Sequence, residues 1–111
     1  MKNMVSLKKN QDFRQVYNKG KSIANRLIVM FVLPNDFGLN RIGFSVSKKV
    51  GKSVVRSRVT RLLRESMRLS AGKVKRGYDI IILARASCNG ISFREADSAL
   101  WHLIKKHNLD L

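Results

Sequence analysis

Arg41-Ile42-Gly43-Phe44-Ser45-Val46-Ser47 runs directly into Lys48-Lys49-Val50-Gly51-Lys52, and then into Ser53-Val54-Val55-Arg56-Ser57-Arg58-Val59-Thr60-Arg61-Leu62-Leu63-Arg64. The periodicity changes at the lysines. Up to Ser47 it is two, with Ile42, Phe44 and Val46 on one face and Arg41, Gly43, Ser45 and Ser47 on the other, which predicts a half-buried strand. Beyond Ser53, the expected N-cap, it is that of a helix. On a wheel of about 100° per residue, Val55, Val59, Leu62, Leu63, Ser66 and Leu69 share one side. Ser57, Thr60, Arg61, Arg64 and Arg68 gather on the other, with Arg56 and Arg58 on the flanks. A strand followed by an amphipathic helix whose wet face is arginine sets the frame for the rest.

Working outward, residues 22–33 end in an aliphatic and aromatic run that predicts a buried strand. Pro34-Asn35-Asp36-Phe37-Gly38 is turn chemistry, so this strand is expected to pair with 41–47 as a hairpin. Before it, Phe13, Val16 and Tyr17 recur at i, i+3, i+4 between Asn10, the expected N-cap, and Gly20, placed as a C′ glycine. That predicts a first helix. After the basic helix, residues 72–77 close it and 78–84 contain Ile80, Ile81, Ile82 and Leu83, a third strand. Ser92-Phe93-Arg94-Glu95 is a capping box, with Ile91 placed to staple onto Ala96. Ala96, Ala99, Leu100, Leu103 and Ile104 form the core face of a last helix. The predicted order is α-β-β-α-β-α, an α+β arrangement in one domain over 1–111.

The 111 residues carry 23 Lys plus Arg against 7 Asp plus Glu, a formal charge of +16. An excess of this size repels itself unless a polyanion is bound, which points to nucleic acid. A membrane-surface peptide would be a basic helix without a core of its own, whereas here the apolar residues are spread over several elements. The longest apolar run, 27–33, is far below the ~20 residues of a membrane span. Residues 1–9 hold no apolar stretch of signal-peptide length, so a cytoplasmic location is expected. One cysteine, Cys88, excludes an intrachain disulfide and a thiolate metal cage. The charge is concentrated: residues 48–76 hold eleven basic residues and one acid, Glu65. A helix stabilised for its own sake would pair Glu with Lys or Arg at i, i+4 and place acids in its first turn. This one has Arg56 there, preceded by Lys48, Lys49 and Lys52. An external anion is expected to supply the missing charge, through the helix N-terminus and forked arginine contacts.

Catalytic machinery is not legible in the chain. The seven carboxylates (Asp12, Asp36, Glu65, Asp79, Glu95, Asp97 and Asp110) form no acidic motif, and Glu95 has a capping task. His102 and His107 are five apart, about 140° on a helix, and share no ligand face. Cys88 has no nucleophile signature, and no phosphate-loop glycine pattern occurs. Phe13, Tyr17 and Phe31 have two open readings, as core residues or as a platform on which unpaired bases stack.

Taken together, Lys8-Lys9-Asn10-Gln11-Asp12-Phe13 with Val16, Tyr17 and Gly20, Ala24-Asn25-Arg26, the block 43–52, Val55-Arg56-Ser57-Arg58 and Arg61-Leu62-Leu63-Arg64-Glu65 resemble the protein-subunit family of bacterial ribonuclease P. The resemblance runs from Leu7 to Ile104. It implies a ribonucleoprotein endonuclease that removes the 5′ leader of precursor tRNA, with catalysis by a separate RNA subunit and its Mg2+. No cofactor is then expected on the protein itself. It also implies a fold like an RNA-binding domain of ribosomal proteins, with a left-handed β-α-β crossover against the usual hand. By position, Lys48, Lys49, Lys52, Arg56, Ser57, Arg58, Arg61, Arg64 and Arg68 would face the catalytic RNA. Phe13, Tyr17 and Phe31 would line a cleft for the leader. The partners implied are the RNA subunit and precursor tRNA, and neither DNA nor a membrane. Ser57 replaces the Asn of the family's Arg-Asn-Arg, offering one donor instead of two, and Thr60 stands where a basic residue is common. A small ribosomal or RNA-chaperone protein would share the charge and fold but confer no cleavage.

Overall fold

The structure is a computed structural model describing residues 4–111. The first three residues of the N-terminal stretch and of the expected domain lie outside the described residues. The elements are β1 (Met4–Ser6), α1 (Asn10–Lys19), β2 (Lys21–Ala24), β3 (Ile28–Pro34), β4 (Asn40–Val46), α2 (Ser53–Ser70), β5 (Tyr78–Ala84) and α3 (Phe93–Lys106). The sheet is mixed, in the order β1-β4-β5-β3-β2. β4 lies parallel to both β1 and β5, while β3 is antiparallel to β5 and β2.

β5 takes the centre because it is the most uniformly apolar strand. Ile80, Ile81 and Ile82 are fully buried, and burial of each such side chain contributes about 1.5–3 kcal/mol. This overturns the expected hairpin between the second and third predicted elements, since β5 is inserted between β3 and β4. The loop 35–39 crosses the end of β5, a gap of about 10 Å for two strand spacings and well within the reach of five residues. It is fixed there by Asn35, whose N–H donates to the Gly77 carbonyl at 2.8 Å and whose amide donates to Asp79 at 2.8 Å.

Four other expectations are corrected. Residues 22–33 are not one strand but the hairpin β2–β3, paired Ala24↔Val29 through Lys21↔Val32. Asn25 makes the turn, its Oδ1 accepting from Leu27 N and Ile28 N at 3.1 and 3.0 Å, the Asx geometry that lets a side chain stand in for a backbone acceptor. The N-caps are Lys9 and Lys52, one residue before the expected Asn10 and Ser53, and neither cap is made by a side chain. Gly20 ends α1 in an extended conformation rather than a left-handed one, because the chain passes directly into β2. In α2 the buried residues are Val59, Leu63, Ser66, Met67 and Ser70. Leu69, placed on the core face from the wheel, is 56% exposed; the true face is rotated toward Met67. The edge strand β1 had no sequence signal, being three residues long.

The last helix matches expectation. Ser92 and Glu95 form the reciprocal capping box, and Ala96, Ala99, Leu100, Leu103 and Ile104 are buried. α2 and α3 cover one sheet face, packing on Ile42, Ile80, Ile82, Met30, Val32 and Ile28 in the main core. A polar contact joins them, Ser66 Oγ donating to Asp97 at 2.7 Å, while Ser70 Oγ donates within α2 to the Ser66 carbonyl at 2.8 Å. α1 covers part of the opposite face with a smaller cluster of Leu7, Val16 and Ile81. Among the described residues no helix is long and apolar enough to cross a membrane.

Candidate nucleic-acid interface

The loop between β4 and α2 is anchored by Val50, 1% exposed, and by Asn89, whose amide donates to the Val50 carbonyl at 2.9 Å. The tight turn leaves Lys48, Lys49 and Lys52 exposed around the start of α2. With no acid in its first turn and no side-chain cap, the positive end of the helix dipole stands among three lysines, a locally unfavourable arrangement that an anion relieves.

Along the helix the cations meet different fates. Arg56, Arg58, Arg61 and Arg64 have no carboxylate within 4.0 Å. Arg58 nevertheless spends one donor on the Ile91 carbonyl at 2.8 Å, tying α2 to the loop before α3. Arg56 is half-buried, and its Nε has no hydrogen-bond partner among the described residues. Arg61 is exposed, and Arg64 lies with its guanidinium carbon 5.4 Å from the centre of the Phe44 ring. Arg68 differs: its Nε donates to Glu65 at 3.1 Å and a second nitrogen also meets that carboxylate. The hydrogen bond from Arg68 lowers the Glu65 carboxyl below its ordinary range and raises Arg68 in turn. Ser57 is exposed between Arg56 and Arg58, while Thr60 turns its hydroxyl back onto the Arg56 carbonyl at 2.9 Å. Sequence position thus brings the row together, but leaves Arg58 and Arg68 partly occupied.

On the other sheet face, register places Gly43, Ile81 and Phe31 in one row across β4, β5 and β3. α1 lies over it. Phe13 rests directly on Gly43: a Cβ there would stand 2.5 Å from the Phe13 ring, so only glycine admits this approach. Phe13 and Tyr17 have ring centres 6.3 Å apart, and Tyr17 meets Phe31 edge to face at 4.8 Å. All three are half-buried. Each ring packs against the small cluster, as the core reading expects, and each remains partly exposed. The next row of this face, Ser45, Leu83 and Val29, is also half-buried. A shallow groove on the outer side of α1 is lined by Leu7, Lys8, Phe13, Arg14 and Tyr17.

Sequence reading missed what holds α1 in place. Arg41 on β4 makes a fork to Asp79 on β5, at 2.8 and 2.6 Å, and reaches Asp12 of α1 at 3.4 Å. Phe37 stacks on its guanidinium at 4.6 Å. The hydrogen bond to Asp79 holds Arg41 above its ordinary value despite partial burial. Alternating polarity around Arg41 marked it as a non-core face residue, but its partner lies 38 residues away and leaves no local signal.

Among the described residues no three His, Cys, Asp or Glu side chains come together to hold a metal. His102 accepts from the Asn25 amide at 3.2 Å, and His107 donates to the Met30 carbonyl at 3.0 Å. Cys88 is buried against the Leu27 carbonyl, and burial raises its thiol pKa.

A mixed sheet with helices on both faces, a cationic helix in which only Arg68 meets an acid among the described residues, and half-open aromatics define a small RNA-binding α+β protein. Comparison with known sequences and structures carries this further. The ribonuclease P family model matches residues 1–108. A ribonuclease P protein component of Alkaliphilus oremlandii is 58% identical over 109 residues, covering 98% of this chain and 96% of the relative. One of Clostridium botulinum is 52% identical over 101 residues, 90% and 91% of the two chains. The Staphylococcus aureus RNase P protein superposes with a TM-score of 0.87 at 32% identity, covering 96% and 97%. That of Thermotoga maritima gives 0.84 at 28% identity, covering 91% and 96%. The chain belongs to the ribonuclease P protein family.

Proposed function

We propose that the polypeptide works as the protein subunit of the ribonuclease P holoenzyme, assisting a catalytic RNA in endonucleolytic removal of the 5′ leader from precursor tRNA, and does so through two separate surfaces. The first is the face of Lys48, Lys49, Lys52, Arg56, Ser57, Arg58, Arg61, Arg64 and Arg68, which we assign to the RNA subunit. The observation that carries the reading is that Arg56, Arg58, Arg61 and Arg64 share one helix and none has a carboxylate within 4.0 Å. Such a row neutralises phosphates of a folded RNA and releases their condensed counterions. The second is the half-buried set Phe13, Tyr17 and Phe31, with the groove that Phe13 and Tyr17 line, assigned to the single-stranded leader, whose bases stack on accessible aromatic surface.

In this division the protein moves no proton and forms no bond. We assign magnesium to the RNA subunit; on the protein, Asp12 and Asp79 are engaged by Arg41 and offer no paired carboxylates. The partners are the RNA subunit and precursor tRNA, in the cytoplasm, and neither DNA nor membrane. A ribosomal or RNA-chaperone role is not favoured, because the likeness to ribonuclease P protein components spans nearly the whole chain.

Binding of the chain to the catalytic RNA, followed by fluorescence over 0.1–0.5 M salt, tests the first surface. For four to six neutralised phosphates, log K should fall against log salt with a slope of about −3 to −5. A slope shallower than about −1 contradicts the assignment.

A further inference from the structure

Phe44 is an aromatic residue of the sheet, packed against the main core, that meets the cationic row at Arg64. It projects from β4, packs at the margin of the main core, and its ring lies under the Arg64 guanidinium at 5.4 Å. Two grooves meet at this pair. One continues past Val46 to Arg56, Ser57 and Thr60; the other runs past Ile42 and Met67 to Val5 on β1. Phe44 and Arg64 line both, and form the saddle between them.

The arginines of the row are restrained in different ways. Arg58 is fixed through a hydrogen bond that uses a donor, and Arg68 through a carboxylate that offsets its charge. Arg61 is exposed, with no partner among the described residues. Arg64 alone is held by a ring face, which attracts the cation electrostatically and consumes none of its five N–H donors. A guanidinium oriented in this way keeps its full charge and its bidentate fork, and loses less side-chain entropy when a phosphate arrives.

We infer that Phe44 is a positioning residue for the RNA-binding face: it touches no RNA itself, but holds Arg64 pre-oriented for a bidentate phosphate contact with the catalytic RNA. The inference rests on the assignment of this helix face to that RNA. It also gives Phe44 a task distinct from core packing, for which Leu or Met would serve as well.

The test is a double-mutant cycle read by affinity for the catalytic RNA, with thermal melts in parallel. Phe44→Leu should weaken binding about two- to fivefold, with the salt slope unchanged because no charge is lost. Phe44→Tyr keeps the ring face and should recover the wild-type affinity. In an Arg64→Ala background Phe44→Leu should have no further effect. Phe44→Met, closer in volume, replaces Phe44→Leu in the cycle if the latter fails to fold. An equal loss from Phe44→Leu with and without Arg64, or no recovery by Phe44→Tyr, overturns the inference and reduces Phe44 to a packing residue. If Arg64→Ala alone leaves affinity unchanged, the assignment of this face to the RNA fails first, and the inference with it.

Discussion

Arg61→Ala combined with Arg64→Ala should weaken binding to the catalytic RNA by about 30- to 150-fold at 0.15 M salt, on the basis of roughly 1–1.5 kcal/mol for each partly screened, charge-assisted phosphate contact. Both side chains are exposed and neither meets a carboxylate, so the effect on folding should stay within about 0.5 kcal/mol, or about 3 °C in Tm. The salt slope should become shallower by about 1.5, the share of two phosphates. Arg68→Ala supplies the internal contrast. Its charge is already offset by Glu65, and its removal should cost about threefold or less, in line with an exposed, screened site. Equal losses for Arg61→Ala and Arg68→Ala, or a double variant whose Tm falls in step with its affinity, would show that local pairing does not sort these arginines.

The second large effect concerns the leader. In the holoenzyme, Phe13→Ala should reduce the preference for precursor over mature tRNA by about 5- to 150-fold, the range that corresponds to the loss of one stacked base. The alanine variant will also be less stable, because the ring covers Gly43 and joins the cluster of Leu7, Val16 and Ile81. Phe13→Leu separates the two contributions. It retains apolar packing but presents no flat π surface, so Tm should hold within a few degrees while most of the preference for leader-bearing substrate disappears. A leucine variant with wild-type preference assigns Phe13 to the core alone. The affinity of the protein for the catalytic RNA should be unchanged in either variant, since Phe13 and α2 lie on opposite faces of the sheet.

What could be read from the sequence follows the range of the interactions involved. The capping box at Ser92 and Glu95, the five core positions of α3 and the amphipathic α2 are set by contacts within one or two helical turns, and these were legible. So was the cationic row, because like charge repeating along a helix with Glu65 as its one acid is a local property. Strand order was not. β5 lies between β3 and β4 through contacts such as Ile42↔Ile80 and Val32↔Ile80, set by competition for the most apolar strand across nearly 50 residues of sequence. Turn chemistry at 34–38 fitted a hairpin equally well. The break within 22–33 depended on Asn25 bonding to Leu27 and Ile28, a cue within reach of the sequence but masked by the apolar run that follows.

The same distinction governs the candidate site. Sequence placed the arginines on one face, but which donors are free depends on the Ile91 carbonyl, the Glu65 carboxylate and the Phe44 ring. Only the second is a helical neighbour. For the aromatics, pattern offered core or platform, and Gly43 beneath Phe13 is what lets the helix ring approach the sheet this closely while remaining half-buried. The Arg41 fork to Asp79 and its reach to Asp12 tie α1 to β4 and β5.

Cleavage of a leader-bearing precursor tRNA at low magnesium, measured with the purified chain alone, with the catalytic RNA alone and with both, tests the division of labour most directly. The account predicts that the chain alone cuts nothing, the RNA alone is slow, and the mixture cuts fast at the leader junction. Cleavage by the nucleotide-free chain, or a mixture no faster than the RNA alone, would contradict it.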